Sequence, residues 1–396
     1  MITIADIKDR LGRKFRGSSI DDIGGVSDYS LFEEAASNLL SGIDPYETVR
    51  LHRFNHFDGI YDYEAPEYLK GKKVIDPRKQ DGRQHEGFSQ TFIKDFDIDK
   101  KFKSGKVSVE FQDGLKIIRL SEKGAASLAI DTTNAVTGWE ASGGATDLAL
   151  DEVIKLDGSD TLKLNLGVAG GYIENDEVDA VDMTEFPSSS LFRRIYLPSI
   201  TGLTSLSLRI GSASGAYWTI AGQPHLGSYR EGVNLVRFDF DDRVATGSPD
   251  ITEITYQRLT FTTTAAINAV RVGPMTAKLP TPYEVPLYSN QLFRDSAGLW
   301  LDRITDSTDE NKDDTEIMLE RDAENIFFYE CCAIAAEDLT LDDEAEKYKL
   351  KLYGHPGRDD DGGLYGQYNR DKPGEALPPT RRWLNFRGRK RITRFR

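Results

Sequence analysis

The sequence predicts an α+β multidomain chain in which helical N- and C-terminal parts flank an antiparallel β-sandwich and an extended basic C-terminal arm follows. Three observations predict it. The middle of the chain, Val107 to about Val272, is rich in Ser, Thr and Gly and alternates apolar with polar residues at period two. Ser30 to Leu40 and Thr315 to Leu339 instead carry their apolar residues three or four apart, as amphipathic helices do. At 396 residues the chain exceeds the size at which a single hydrophobic core stops growing, so two or three domains are expected.

In chain order, Ile4, Ile7, Leu11 and Phe15 follow helical spacing up to a Gly-, Ser- and Asp-rich loop at Gly17–Asp28. A second helix opens at Ser30, with Glu33 placed to complete a capping box, and buries Leu31, Phe32, Ala35, Ala36, Leu39 and Leu40 before Gly42 and Pro45 end it. Thr48–Leu51 and Ile60–Tyr63 read as a small hairpin closed by Asp58-Gly59. Alternation then marks strands at Val107, Val109 and Phe111, at Leu162, Leu164, Leu166 and Val168, at Leu206, Leu208 and Ile210, and at Val236, Phe238 and Phe240. Asp113-Gly114, Gly143-Gly144, Asp157-Gly158 and Gly211–Gly215 supply turns between them, which favours an antiparallel sandwich. Pro280, Pro282 and Pro286 mark the exit, since proline cannot donate to a continuing ladder. Helices resume at Thr315–Leu339 and Leu341–Tyr353. The resulting partition is 1–102, helix plus hairpin; 103–280, sandwich; 281–355, returning helices; and 356–396, arm with basic tail.

Composition narrows the function. The net charge of −15 disfavours general nucleic-acid binding, because phosphates are repelled over most of the surface. Charge is segregated, however: Arg381–Arg396 holds seven Arg and one Lys with no acid, a +8 tail on a remainder of −23. Met1-Ile2-Thr3-Ile4 runs straight into charged residues, so no secretory leader is read, and the longest apolar run, near Ile326–Ala336, contains Glu330 and is too short to span a bilayer. Synthesis and folding in a cytosol are expected. Cys331 and Cys332 are neighbours in a helical pattern and read as reduced core thiols, with no metal or redox role.

Sites follow from residue types and spacing. Asp359-Asp-Asp-Gly-Gly and the acidic run Asp306–Asp314 lack the alternating ligands and closing glutamate of a calcium loop. Of five scattered histidines only His52 and His56 lie four apart, on a predicted strand and turn, where that spacing does not make a metal pair. Neither Gly-x-Ser-x-Gly nor a phosphate or dinucleotide loop occurs. No catalytic residue, cofactor or metal site is assigned, and the chain reads as non-enzymatic. Trp139 is expected in the core, where large aromatics commonly pack, whereas Tyr217 and Tyr229 are candidates for gripping a sugar ring. In the tail, Arg381, Arg382, Trp383, Phe386, Arg387, Arg389, Lys390, Arg391, Arg394 and Phe395 interleave cations with aromatics and read as a partner-binding element.

Leu31-Phe-Glu-Glu-Ala-Ala-Ser-Asn-Leu-Leu, followed by Asp58-Gly-Ile-Tyr-Asp-Tyr-Glu-Ala-Pro and the late Phe328–Leu339 helix, resembles head-to-tail adaptor and neck proteins of tailed bacteriophages. Gly138–Gly143, Gly211–Trp218 and Gly232–Phe238 are similar to jelly-roll domains of the carbohydrate-binding type. The resemblance implies a virion structural protein of the neck or tail: a homo-oligomeric ring, often twelvefold, on the portal protein and in contact with tail proteins. DNA would pass its lumen without specific binding. The alternative is a tail or baseplate protein whose jelly roll binds a cell-surface carbohydrate.

Overall fold

The computed structural model describes residues 2–16, 20–74, 78–79, 106–112, 114–354 and 363–371. They divide into two compact units, one of residues 1–52, 66–78 and 284–396, the other of 53–65 and 79–283. The basic tail from Arg381 onward, Asp359–Gly362, Asp113, His85 and His355 lie outside the described residues.

The first unit gathers helices from both ends of the chain: α1 (Ile4–Lys14), α2 (Ser30–Gly42), α3 (Arg321–Asp338), α4 (Asp342–Tyr353) and α5 (Gly363–Asp371). Their apolar faces share one core, including Ile7, Leu11, Phe32, Leu39, Phe327, Cys331 and Leu352. Thr3 and Asp6 cap α1 reciprocally, with Asp6 N–H donating to Thr3 Oγ1 at 3.2 Å and Thr3 N–H to Asp6 Oδ2 at 3.0 Å.

The expected box on α2 is not formed. Tyr29, at φ 68°, takes the cap position, so Ser30 is already helical and Glu33 lies one residue too far along; its carboxylate accepts from Thr305 N–H and Oγ1 at 3.2 Å. Helix α3 also begins later than Thr315, because Glu316–Ile317 is drawn into a strand against Ile2–Thr3 and Phe293–Arg294. Cys331 and Cys332 are buried free thiols, and burial pushes Cys332 up to about 12 and Cys331 well above its ordinary value, so neither supplies a thiolate near neutral pH.

A buried carboxylate ties this unit together. Glu330 is 2% exposed, and its Oε1 accepts from Tyr353 at 2.7 Å and Tyr365 at 2.8 Å while Oε2 accepts from Asn38 at 3.4 Å, joining α2, α3, α4 and α5. Glu330→Ala leaves the buried Tyr365 phenol without its acceptor, while the half-exposed Tyr353 can turn to water, and is expected to cost about 1–3 kcal/mol. Glu330→Gln keeps Oε1 and should lose much less. Urea unfolding of both variants checks the difference.

The second unit contains the sandwich. Its strands are β1 (Asp62–Glu64), β2 (Lys106–Gln112), β3 (Leu115–Ser121), β4 (Ser127–Asp131), β5 (Trp139–Ser142), β6 (Ala145–Leu156), β7 (Ser159–Leu166) and β8 (Gly171–Asn175). They continue with β9 (Ser190–Leu197), β10 (Leu203–Ala213), β11 (Ala216–Pro224), β12 (Gly232–Asp239), β13 (Val244–Thr246), β14 (Tyr256–Thr263) and β15 (Ile267–Lys278). One layer has the order β7-β15-β9-β12, edged by β6, and the other β8-β14-β10-β11, edged by β5. Without the edge strands and β13, this pairs the first strand with the eighth, the eighth with the third and the third with the sixth; opposite, the second, seventh, fourth and fifth are neighbours. That winding is a jelly roll. The layers join where Gly222–Pro224 of β11 pairs with Val236–Phe238 of β12. Asp157 and Gly158, at φ 51° and 82°, close the β6–β7 hairpin in the left-handed conformations that a two-residue turn needs.

Alternation places Leu162, Leu164 and Leu166, Leu206, Leu208 and Ile210, and Val236, Phe238 and Phe240 in the core, together with Trp139 and Trp218. Val168 is exposed instead, because β7 ends at Leu166 and Gly167 turns the chain. Val107, Val109 and Phe111 form β2 of a separate three-stranded sheet, β1-β3-β2, rather than a sandwich strand.

The predicted hairpin is also corrected. Val49–His56 pairs with Thr281–Ser289, and β1 pairs with β3. The Asp58-Gly59 turn exists, with Gly59 at φ 71°, but the sandwich side of its own unit recruits it: Lys278 Nζ donates to Asp58 O at 2.7 Å and Gly124 N–H to Asp58 Oδ1 at 3.2 Å. Pro282 and Pro286 do not break the chain but lie within the strand Thr281–Ser289, where the division between the units falls, after Tyr283.

Candidate functional site: a tyrosine and arginine sheet face

The layer β5-β8-β14-β10-β11 buries one side in the core, so period two sends the intervening residues of each strand outward. Across the strands they form rows. One runs Ser142, Tyr172, Thr260, Ser207, Ala221; the next runs Glu140, Glu174, Arg258, Arg209, Thr219. A third holds Tyr256, Gly211 and Tyr217.

Stacking organises this face. The Arg258 guanidinium carbon lies 3.2 Å from the Tyr172 ring centroid, and that of Arg209 lies 4.7 Å from the Tyr217 centroid. Tyr217 and Tyr256 are 6.1 Å apart, and the Tyr256 hydroxyl donates to Glu174 Oε2 at 3.2 Å. Burial, reinforced by the Glu174 charge, raises the Tyr256 pKa, which keeps that hydroxyl a donor. The surface therefore offers flat aromatic bodies, guanidinium edges, a carboxylate and the hydroxyls of Ser207, Thr219 and Thr260. Such a set can hold a polyhydroxylated ring by apolar contact and paired hydrogen bonds.

Tyr217 sits on this face. Tyr229 does not: it lies between β11 and β12, donates to Gly222 O at 2.9 Å, and lines a cleft of about 510 Å³ with Tyr61, Asp62, His225, Arg230 and Leu235. Burial pushes the Tyr229 hydroxyl up to about 12. The two tyrosines thus belong to different surfaces of the same unit. Tyr172, Glu174, Arg209 and Arg258 escaped the sequence reading. The outward phase of β8, β10 and β14 was the available signal, since each residue flanks inward-facing Ile173, Leu208 or Leu259.

His56 and His225 are tied into the fold by hydrogen bonds. His56 is buried, with Nε2 3.1 Å from Glu122 O and Nδ1 2.9 Å from the Tyr63 hydroxyl, which also receives Phe57 N–H at 2.9 Å. His225 Nε2–H donates to Asp62 O at 2.7 Å, and burial holds its pKa below the ordinary value. A depressed folded-state pKa means that the unfolded chain takes the proton first. The stability His225 contributes is therefore present above its unfolded pKa, about 6.5, and is lost as pH falls from there through the folded value. Thermal unfolding at successive pH values should show that decline, reduced in His225→Gln. Among the described residues no group of three or more His, Cys, Asp or Glu side chains could hold a metal ion.

No protein-family profile and no curated protein matches the chain. Among solved structures it is similar to a family 11 carbohydrate-binding module from Clostridium thermocellum in complex with a β-1,3-1,4-mixed-linked tetrasaccharide, at 9% identity over 38% of this chain and 94% of that one, with a TM-score of 0.29. A family 30 carbohydrate-binding module of a cellulosomal cellulase of the same organism matches at 12% identity over 39% of this chain and 97% of that one, TM-score 0.27. An exo-β-agarase matches at 15% identity over 43% of this chain and 27% of its own length, TM-score 0.27.

Proposed function

We propose that this is a non-enzymatic bacteriophage virion protein whose jelly roll binds a cell-surface carbohydrate on the tyrosine and arginine face, as part of a tail or baseplate. The observation that carries the binding role is the juxtaposition of Tyr172, Arg258, Arg209 and Tyr217 on the outward side of one sheet, with Glu174 beside them. The virion placement rests on the resemblance in the helical segments. A glycan array probed with the full chain tests the binding role. Retention of a defined glycan, lost in Tyr172→Ala/Tyr217→Ala, supports it, and an empty array contradicts it. Hydrolysis of a retained glycan, abolished by Glu174→Gln, would overturn the non-enzymatic part.

A second reading, a head-to-tail adaptor forming a homo-oligomeric ring on the portal, is favoured by the common core that α1 and α2 share with α3, α4 and α5. An adaptor domain interrupted by a sandwich would fold that way. In this reading the neck is the site of assembly, Arg381–Arg396 contacts the portal or tail proteins, and DNA traverses the lumen without specific binding. Native mass spectrometry with and without the portal of the source particle decides. A ring formed alone or on the portal, lost on deleting Arg381–Arg396, supports the adaptor. A species indifferent to the portal supports the tail protein.

A further inference from the structure

Resting on the reading of this face as a glycan site, we infer that its ligand is an acidic polysaccharide whose carboxylate or sulfate groups seat at Arg209 and Arg258. These two arginines are directly opposed on β10 and β14. Like charges facing each other across a strand pair repel, which is a cost to the free protein that a bound anion would remove.

Their surroundings relieve it only in part, through the Tyr256 hydroxyl beside Arg258. Arg193, Arg194, Arg237 and Arg271, on strands of the other layer, each pair with an aspartate, whereas neither Arg209 nor Arg258 forms an ion pair among the described residues. Glu174 faces Arg258 in register yet accepts the Tyr256 hydroxyl instead. Arg258 Nε is moreover buried without a hydrogen-bond partner.

The stacking points the same way. Arg258 stacks on the Tyr172 ring at 3.2 Å and Arg209 on Tyr217 at 4.7 Å, so a guanidinium stands beside each aromatic body of this face. A held guanidinium presents a planar fork of N–H groups that matches carboxylate or sulfate oxygens. Along the same row Glu174 and Glu140 continue on the far side of Arg258, so the row reads acid, acid, base, base. A sugar bearing both an anion and hydroxyls satisfies both halves, with its hydroxyls donating to the glutamates.

Calorimetry of the full chain tests this with an oligogalacturonate, its neutral methyl ester, a sulfated galactan oligosaccharide and its desulfated form. The expected result is at least tenfold tighter binding of one acidic ligand than of its neutral counterpart. Whether the galacturonate or the sulfated galactan shows it identifies the anion. Arg209→Gln and Arg258→Gln should each weaken that binding by about 10- to 100-fold, the range for losing a hydrogen bond to a charged group. Arg209→Lys should recover part of it, and circular dichroism checks that the variants fold. Neutral forms binding as tightly as acidic ones would overturn the inference and leave the glycan reading standing. Failure of all four to bind also overturns it, and an empty glycan array would remove the underlying reading as well. Tighter binding of a single-stranded oligonucleotide than of any acidic glycan would overturn it in favour of a nucleic-acid face.

Discussion

Asp131→Ala is expected to destabilise the sandwich by about 3–5 kcal/mol, because it strands a charged guanidinium between the two layers. Arg193 projects from β9 into the core with its side chain fully buried, and Asp131 at the end of β4 is its ionic partner. Arg193 Nη2 also donates to Gln257 Oε1 at 3.1 Å, and Trp139 lies 5.6 Å from the guanidinium carbon. Asp131 Oδ1 further accepts Met275 N–H at 3.3 Å, which ties β4 to β15. Removing the carboxylate leaves the arginine uncompensated in a low-dielectric interior. Replacing both members, Asp131→Leu with Arg193→Met, removes both desolvation penalties and should come out near neutral or more stable than Asp131→Ala alone. A double-mutant cycle by urea unfolding measures the coupling. Equal losses in the single and double variants would show that the pair's burial is not what matters.

Phe57→Ala should cost about 3–5 kcal/mol and loosen the three-stranded sheet before the jelly roll opens. Phe57 is buried, meets Phe192 of β9 edge to face at 4.8 Å, and has the Arg237 guanidinium carbon 5.2 Å from its ring centroid. The turn that follows it is fastened at Asp58 by Lys278 and Gly124. A Cβ on Gly124 would stand 2.1 Å from Asp58 N, so the approach admits only glycine. Hydrogen exchange should therefore report faster opening of β1 and β3 in Phe57→Ala, with β9, β14 and β15 still protected. Uniform acceleration across all these strands would contradict the arrangement.

Much of the sandwich was legible because burial on one side writes itself as period two. Leu206, Leu208 and Ile210 alternate in sequence and fill the core in space, and the Asp157-Gly158 turn announces its conformations. The early helices were legible for the same reason at period 3.6. What escaped were choices made by distant residues. Asp58-Gly59 has the chemistry of a hairpin turn, but Lys278, more than two hundred residues away, claims its carbonyl. Glu316 and Ile317 continue a helical pattern yet become a strand because Ile2 and Phe293 offer edges to pair with. The candidate site was half visible. Tyr217 stood out as an aromatic in a Gly- and Ser-rich stretch, while Arg209 and Arg258 gain their meaning only when β10 lies beside β14.

Hydroxyl-radical footprinting of the full chain, with and without the glycan retained from an array, tests the central claim most directly. The account predicts protection of Tyr172 and Tyr217 on the outward sheet face while Tyr229 and Tyr61 in the cleft react as before. Protection of Tyr229 and Tyr61 instead, or of none of the four, would contradict it.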